Sequence, residues 1–277
     1  MFELEERTMK LNKKRKMKVN NKIKIILVFL IIVIIGLIVF YKFFKAEKVY
    51  VFKEFNSTGQ LIGTKEYVLR DGNAIIHGKF IDYNIKGIKI SDGQFVNGHI
   101  YGKTSYYYDN GKIEEVHFRK NKETTLESTF YNANGFVEKY VVYDDLGNSS
   151  FIVNFDKKGV TDYSGHFQIE TYQYKFANKA EFNIKENQNL KIGDKLKYSY
   201  IVANIPNAKR SFKIENISVD NSKVKRTIKK VEPCQLDVEE VLIKKGKNTI
   251  RSIVRYEFND KVTPVFTDTL SFDVNVN

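Results

Sequence analysis

The sequence predicts an all-β exported region that is preceded by one transmembrane α-helix. A turn of the form aromatic, Asp or Asn, then Gly recurs at multiples of about twelve residues through the first half. The segments between these turns, and those of the second half, alternate apolar with polar residues, as strands with one buried face do. A charge-free apolar run comes before both halves. We therefore expect stacked antiparallel β-hairpins followed by a β-sandwich.

The apolar run is long enough to cross a membrane. Residues 25–41 carry no charge, and a helix of that length spans about 26 Å, close to the thickness of a hydrocarbon core. Apolar neighbours extend the predicted transmembrane helix to residues 25–44. A cleavable signal peptide is the alternative, but its apolar region is shorter and ends in a small-x-small site. Phe44-Lys45-Ala46 is a poor match to such a site.

Residues 1–24 form a basic tail with nine Lys and Arg against three Glu. The positive-inside rule puts such a tail in the cytoplasm and the later domains outside, in the periplasm or at the cell surface. Binding to anionic lipid or nucleic acid is another interpretation of a basic run. Because orientation accounts for the charges, we expect a single-pass protein of the inner, or cytoplasmic, membrane with no nucleic-acid partner.

Residues 49–168 are predicted to form the hairpin array. Gly87, Gly111 and Gly135 are 24 residues apart, and Gly147 and Gly159 follow at steps of 12. These spacings fit one hairpin per 24 residues, with glycine supplying the positive φ of a tight turn. The glycines expected to shape the turns of the repeats are Gly93, Gly98, Gly102, Gly111, Gly135, Gly147 and Gly159.

The segment from Gly93 to Gly111 resembles the membrane occupation and recognition nexus (MORN) repeat. The matching positions are Gly93, Phe95, Asn97, Gly98, Gly102 and Tyr107. The tryptophan usual in that repeat is absent, and the later units keep only the turn. The resemblance implies a twisted antiparallel sheet used for protein contact or assembly. The tyrosine-aspartate repeat of large bacterial shell proteins is the second family suggested, by Tyr108-Asp109 and Tyr143-Asp144.

The remaining residues predict transition strands at 169–186 and a β-sandwich at 190–277. Leu196, Tyr198, Tyr200 and Val202 share one face of an alternating strand. About seven short strands without helical periodicity indicate two packed antiparallel sheets. The segments 246–250 and 268–274 resemble the late strands of immunoglobulin-like or fibronectin type III-like domains, a resemblance that implies a spacer, an adhesin or a docking module.

Two groups of residues are candidates for an interaction surface. The first is Tyr106, Tyr107 and Tyr108, which could offer rings to a peptide or a glycan, although core and cross-strand pairing is the alternative. The second is a set of basic residues, Lys223, Lys225, Arg226, Lys229 and Lys230. These charges fit either a strand edge protected by lysines or contact with an acidic partner.

The sequence predicts no catalytic, metal or cofactor site. His77, His99, His117 and His166 lack a ligand partner at helical or strand spacing. The Asp residues of the turns fit side-chain turn closure better than calcium binding. Cys234, the single cysteine, fits a small buried residue. Adjacent acid pairs such as Glu239-Glu240 point to opposite faces of a strand and cannot act together.

These observations lead to one expected function and two alternatives. The first is a membrane-anchored bacterial envelope protein that binds a protein partner and is not an enzyme. The second is a module that binds an envelope glycan or the cell wall. The third is an enzyme of unrecognised type.

Overall fold

The computed structural model describes residues 26, 28–37, 47–144, 146–173, 190–217, 219–231, 233–260 and 262–277. Residues 28–37, with Ile26, are α-helical. Within the described ranges, no helix has the length and apolar character that a membrane crossing needs. The predicted tail at 1–24, residues 25, 27 and 38–44 of the predicted transmembrane helix, and residues 174–186 of the predicted transition strands lie outside the described residues.

The rest of the described chain is mostly antiparallel β-sheet, which confirms the predicted predominance of β structure. Val49–Asn277 forms one compact unit. Its first part is a sheet of eleven strands with the order β1-β2-β3-β4-β6-β7-β8-β9-β10-β11, in which β5 pairs only with β4. The strands are β1 (Val49–Phe55), β2 (Leu61–Arg70), β3 (Asn73–Tyr83), β4 (Lys89–Val96), β5 (His99–Ile100), β6 (Gly102–Tyr107), β7 (Ile113–Arg119), β8 (Thr125–Tyr131), β9 (Val137–Tyr143), β10 (Ser149–Phe155) and β11 (Val160–Gly165).

Most of the turns of this sheet are closed by an Asn or Asp side chain. Asn56, Asn84, Asn132 and Asp144 each accept, through Oδ1, the backbone N–H groups two and four residues later, at 2.8–3.1 Å. A glycine with positive φ follows each of them at the third position. The predicted chemistry of the turns is therefore present. Two further turns, Asp71-Gly72 and Asn97-Gly98, have positive φ at both residues, as type I′ hairpins require.

Alternate turns lie at the same end of the sheet because successive strands are antiparallel. The turns that begin at Asn56, Asn84, Tyr108 and Asn132, here named the turn row, are joined by side chains. Asn84 Nδ2 donates to Asp109 Oδ1 at 3.1 Å, and Asn110 Nδ2 donates to Ala133 O at 3.0 Å. Asp109 thus links two turns, whereas the sequence predicts that it closes its own turn.

The second part of the unit contains seven strands in two sheets. One sheet has the order β12-β13-β16-β15 and the other β14-β17-β18. The strands are β12 (Gln168–Gln173), β13 (Lys195–Val202), β14 (Ala208–Ile217), β15 (Arg226–Val231), β16 (Gln235–Val241), β17 (Gly246–Phe258) and β18 (Phe266–Val276). Gln168 pairs with Val202, so residues 169–173, predicted as transition strands, belong to the first of these sheets.

Alternating apolar residues hold these two sheets together. The Tyr198 ring on β13 lies 5.2 Å from the Phe272 ring on β18, edge to face. The Tyr200 ring lies 5.4 Å from the Phe212 ring on β14. Both tyrosines are buried. The alternation predicted for residues 196–202 therefore directs these rings into the space between the sheets.

The eleven-stranded sheet and the two smaller sheets share one core, in which Phe167 contacts residues of both parts. Its ring lies 4.9 Å from the Phe151 ring on β10 and 5.4 Å from the Phe266 ring on β18. Tyr140 adds a polar link, because its hydroxyl donates to Glu127 Oε2 at 2.7 Å and accepts the Asn204 N–H at 2.6 Å. Burial raises the pKa of Tyr140 well above its usual value, so this hydroxyl stays protonated.

Candidate functional site

The three consecutive tyrosines do not form one platform. Tyr106 lies opposite Glu115 on β7, and its ring contacts His117 edge to face at 5.6 Å. Tyr107 points to the opposite face, where its hydroxyl donates to Asp92 Oδ2 at 2.9 Å. Tyr108 enters the turn row and donates to Tyr131 O at 2.7 Å. Each ring is half-buried, and the three contribute to three different regions of the sheet.

Lys89 completes the surroundings of Tyr107. Its Nζ lies 4.0 Å from the centre of the Tyr107 ring and 2.7 Å from Asp92 Oδ2. The hydrogen bond to Asp92 raises the pKa of Lys89. The polar groups around this ring are thus already bonded to one another, which leaves little for an external ligand to satisfy.

Four of the predicted basic residues lie on or beside an edge strand. Lys229 and Lys230 are exposed on β15, the last strand of its sheet, and Lys223 and Lys225 are exposed just before it. Lys223 Nζ is 3.8 Å from Asp220 Oδ2. Lysines on a sheet edge oppose pairing with another chain. The position of these residues therefore fits the first of the two interpretations, a strand edge protected by lysines.

Arg226 differs from the exposed basic residue that the sequence predicts, because its side chain is only 12% exposed. Its Nε donates to Glu240 Oε2 at 2.7 Å, and its Nη1 donates to Ile214 O at 2.8 Å. Glu240 also accepts from Asn216 Nδ2 at 3.0 Å and from the Tyr198 hydroxyl at 3.1 Å. Burial and the nearby Glu240 raise the pKa of Tyr198. Arg226 therefore belongs to a buried polar network.

The predicted repeat glycines have two different structural roles. Gly98, Gly102, Gly111, Gly135, Gly147 and Gly159 have positive φ. Gly147 lies in the β9–β10 turn, at the end of the sheet opposite the turn row. Gly93, by contrast, lies inside β4 rather than in a turn, and a Cβ there would be 2.8 Å from Phe80 Cε1. Gly93 thus makes room for an aromatic ring on the neighbouring strand.

His117 is the centre of an arrangement that the sequence did not reveal. Its Nδ1 lies 2.7 Å from Ser128 Oγ, and its Nε2 lies 2.9 Å from Glu115 Oε2. A hydroxyl, an imidazole and a carboxylate in this order are the parts of a nucleophilic triad. The residues come together because Ser128 is directly opposite His117 in the β7–β8 pairing, a register that residue spacing does not give.

Burial argues against nucleophilic chemistry at this position. Ser128 is 0% exposed, and the rings of Tyr106 and Phe130 flank His117 at 5.6 and 5.9 Å. A nucleophile must reach the carbon that it attacks, and the Ser128 side chain is buried in this structure. The three side chains satisfy one another in the middle of a sheet.

The other histidines lie apart from one another. His77 Nδ1 is 3.3 Å from Asn97 Oδ1 beside a type I′ turn, while His99 and His166 are exposed. In the ranges that the structure describes, no three His, Cys, Asp or Glu side chains are grouped so that they could hold a metal ion. Cys234 is buried.

Strand β1 is the first edge of the large sheet, and it is apolar. Its only strand partner in the described part of the chain is β2. Val51 is 59% exposed and Phe52 is 53% exposed, and Val49 and Phe55 are exposed by half or more. Two charged residues, Lys53 and Glu54, interrupt this surface. Compared with β15, this edge carries fewer of the lysines with which sheet proteins protect such strands.

A groove of about 660 Å³ lies between β11 and the start of β18. Val160–Gly165 forms one wall, and residues 263–268 form the other. Phe167 closes the bottom, and the ring centres of Tyr163 and Phe266 are 4.4 Å apart within it. The groove was not predicted from the sequence, because its walls are separated by about a hundred residues.

Comparison with known proteins adds little. No protein family matches the chain, and no curated protein does. Among solved structures, the crystal structure of the S-layer protein SbsC domains 4 and 5 is similar at a TM-score of 0.21 and 10% sequence identity, over 83% of this chain and 99% of that chain. A similarity at this level carries no argument about fold or function.

Proposed function

We propose that this chain is a single-span protein of the bacterial envelope whose exported β-sheets bind other proteins and carry out no catalysis. The observation that carries the proposal is the exposed apolar edge of β1. An open strand edge offers backbone donors and acceptors to a strand of a partner, and alternate side chains give specificity. Val51 and Phe52, each more than half exposed, are the side chains that a partner strand would cover.

The two resemblances found in the sequence fit this function. The unit from Gly93 to Gly111, which resembles a MORN repeat, contains the end of β4 and all of β5 and β6. The orders β12-β13-β16-β15 and β14-β17-β18 correspond to the ABED and CFG sheets of a constant-type immunoglobulin domain, which supports an immunoglobulin-like sandwich. Both kinds of module serve mainly as contact surfaces, although fold alone does not assign function.

Anchoring rests on the charge-free run at 25–41 and on the basic residues before it. We propose that residues 25–44 cross the inner membrane and that the β-sheets lie on the extracytoplasmic side. Anchoring would restrict the β-sheets to two dimensions, which favours weak strand-edge contacts by raising the effective concentration of the partners.

A glycan-binding role has less support, because Tyr106, Tyr107 and Tyr108 lie in three different regions and their hydroxyls or rings are engaged within the chain. An enzymatic role would require an accessible reactive group. The Ser128, His117 and Glu115 arrangement has the order of a triad, but its hydroxyl is buried.

The proposal is tested by affinity capture of the full-length chain from membranes in mild detergent. We compare the wild type with Val51→Lys, which adds a charge to the β1 edge. Leu146→Lys is the matched control, because Leu146 is 83% exposed in the β9–β10 turn, which is separated from β1 by many strands of the sheet. We expect a stoichiometric partner on the wild type and on the control, and its loss from Val51→Lys. Absence of any stoichiometric partner, or equal capture by all three proteins, refutes the proposal.

A further inference from the structure

We propose that the groove between β11 and β18 binds an extended peptide segment that carries a basic side chain. This inference rests on the proposed protein-binding function, and it names a second site that is distinct from the β1 edge. Three features of the groove carry it: two open strand edges, an aromatic floor and a pair of carboxylates.

One wall of the groove is the edge of β11, and the other consists of residues 263–265 and the first residues of β18. Among the described strands, β11 pairs only with β10, and β18 pairs along its length only with β17. The edge of β11 and the start of β18 therefore present backbone N–H and C=O groups that a third strand could bond. At one end, Val160 N–H donates to Thr263 Oγ1 at 3.1 Å and joins the walls. An extended chain fits this form better than a compact small molecule does.

The length of the groove sets the size of its ligand. Strand β11 has six residues, and an extended chain rises about 3.3 Å per residue, so the wall is roughly 20 Å long. An extended peptide of about five or six residues is therefore as long as this wall.

The floor of the groove is aromatic. The Phe167 and Phe266 rings are stacked with an interplanar angle of 10°, and the Tyr163 ring packs against both. Tyr163 and Val265 remain 48% exposed. An apolar side chain of a bound strand could pack on Val265, and the exposed Tyr163 ring could accept a cation above its face.

The charge of the groove selects a basic ligand. Asp162 and Asp268 both line it, and none of the described lining residues is Lys or Arg. Asp162 also accepts a hydrogen bond from the neutral Asn154 amide at 2.8 Å. Complementary charge guides encounter and discriminates against acidic segments.

The test measures binding of two labelled hexapeptides to the full-length chain in detergent by fluorescence anisotropy. One peptide alternates valine with lysine, and the other alternates valine with glutamate. The variant Asp162→Asn/Asp268→Asn removes both carboxylates while keeping side-chain shape. Asp71→Asn is the matched control, because Asp71 lies in the β2–β3 turn, where an Asn tolerates the positive φ. Near-ultraviolet circular dichroism checks that each variant is folded.

We expect saturable binding of the lysine peptide, at least about tenfold tighter than that of the glutamate peptide. The double variant should lose about tenfold in affinity, and the Asp71→Asn control should be unchanged. Absence of saturable binding up to about 1 mM, or equal binding by wild type and double variant, overturns the inference. Displacement of the peptide by soluble envelope oligosaccharide that binds tighter than the peptide assigns the groove to a sugar and also overturns it.

Failure here is distinguishable from failure of the proposed function. If Val51→Lys still abolishes partner capture while the groove binds no peptide, the β1 edge remains the contact surface and only the groove assignment is lost. If neither experiment detects binding, both proposals fall.

Discussion

Arg226 and Glu240 stand directly opposite each other on β15 and β16, and Arg226 Nε donates to Glu240 Oε2 at 2.7 Å. Glu240 is 1% exposed and sits between the two smaller sheets with Tyr198 and Asn216. A buried charge is tolerated when its partner and hydrogen bonds compensate for lost hydration. The pair therefore holds the edge strand β15, which is otherwise largely exposed, against the core.

Removal of one partner should be costly. We expect Glu240→Ala to lower the free energy of unfolding by about 3–5 kcal/mol, because Arg226 is left with an uncompensated charge. Replacement of both residues, Arg226→Met with Glu240→Leu, should recover much of that loss. Chemical denaturation followed by circular dichroism measures both. Glu239→Ala, on the same strand but exposed, is the control; an equal loss there would contradict a special role for the buried pair.

Gly93 should tolerate a side chain only if the Phe80 ring moves or is replaced by a smaller side chain. A Cβ at Gly93 would lie 2.8 Å from Phe80 Cε1 and 3.1 Å from Thr104 Oγ1, so Gly93→Ala should cost about 1–3 kcal/mol of stability. Phe80→Leu in the same chain should reduce the cost of Gly93→Ala. In Gly87→Ala, where only the positive φ opposes the change, Phe80→Leu should give no relief. A double-mutant cycle by thermal unfolding measures this coupling.

Phe167 should couple the large sheet to the two smaller ones. Its ring contacts Phe151 on one side and Tyr256 and Phe266 on the other. We expect Phe167→Ala to cost about 3–5 kcal/mol and to split a single unfolding transition into two, as seen by calorimetry. Phe136→Ala, whose side chain is 51% exposed, should change the transition little. A single transition that only shifts in Phe167→Ala would show that other contacts suffice for the coupling.

Acid should destabilise the sandwich. Hydrogen bonds from Lys213, and then from Arg251, lower the pKa of Glu215 below 4.5, and Lys197 does the same for Glu239. A carboxylate with a lowered folded pKa contributes stability above its unfolded pKa and loses it as pH falls through the folded pKa. The melting temperature should therefore fall as pH drops below about 4.5.

Glu215→Gln tests the source of that acid sensitivity. Melting temperatures of the variant and the wild type are compared between pH 7 and about pH 3.5. The variant should show a smaller acid-induced decrease, because one of the contributing carboxylates is gone. Glu123→Gln, in the β7–β8 turn, is the control and should follow the wild type. If the melting temperature of Glu215→Gln falls with acid as much as that of the wild type, this carboxylate does not contribute to the acid sensitivity.

Ser128 should be chemically inert in the folded protein. Its hydroxyl is buried beside His117, so a fluorophosphonate probe of reactive serines should not label the native chain. Ser128→Ala should instead cost about 1 kcal/mol of stability, through the lost hydrogen bond. Labelling of the wild type that is lost in Ser128→Ala would show that the probe reaches this hydroxyl and would support the hypothesis of an enzyme.

Much of the first sheet could be read from the sequence because its turns are local. An Asn or Asp that bonds the next backbone N–H groups, followed by a glycine with positive φ, acts within five residues. Asn84 with Gly87 and Asn132 with Gly135 are examples. Which side chains meet across neighbouring strands could not be predicted from the sequence. Register shifts, such as that between Phe118 and Arg119, interrupt the alternation by which residues are assigned to one face of a sheet.

The sequence by itself determined that this chain is mostly β-sheet, where its hairpins turn and which segments alternate, because those properties depend on neighbouring residues and on backbone φ. Only the tertiary structure decided which side chains meet. It buried Arg226 against Glu240, put Ser128 beside His117, and brought β11 to β18 to form a groove. These relationships depend on strand register and sheet packing between residues far apart in the chain, and no local pattern encodes them.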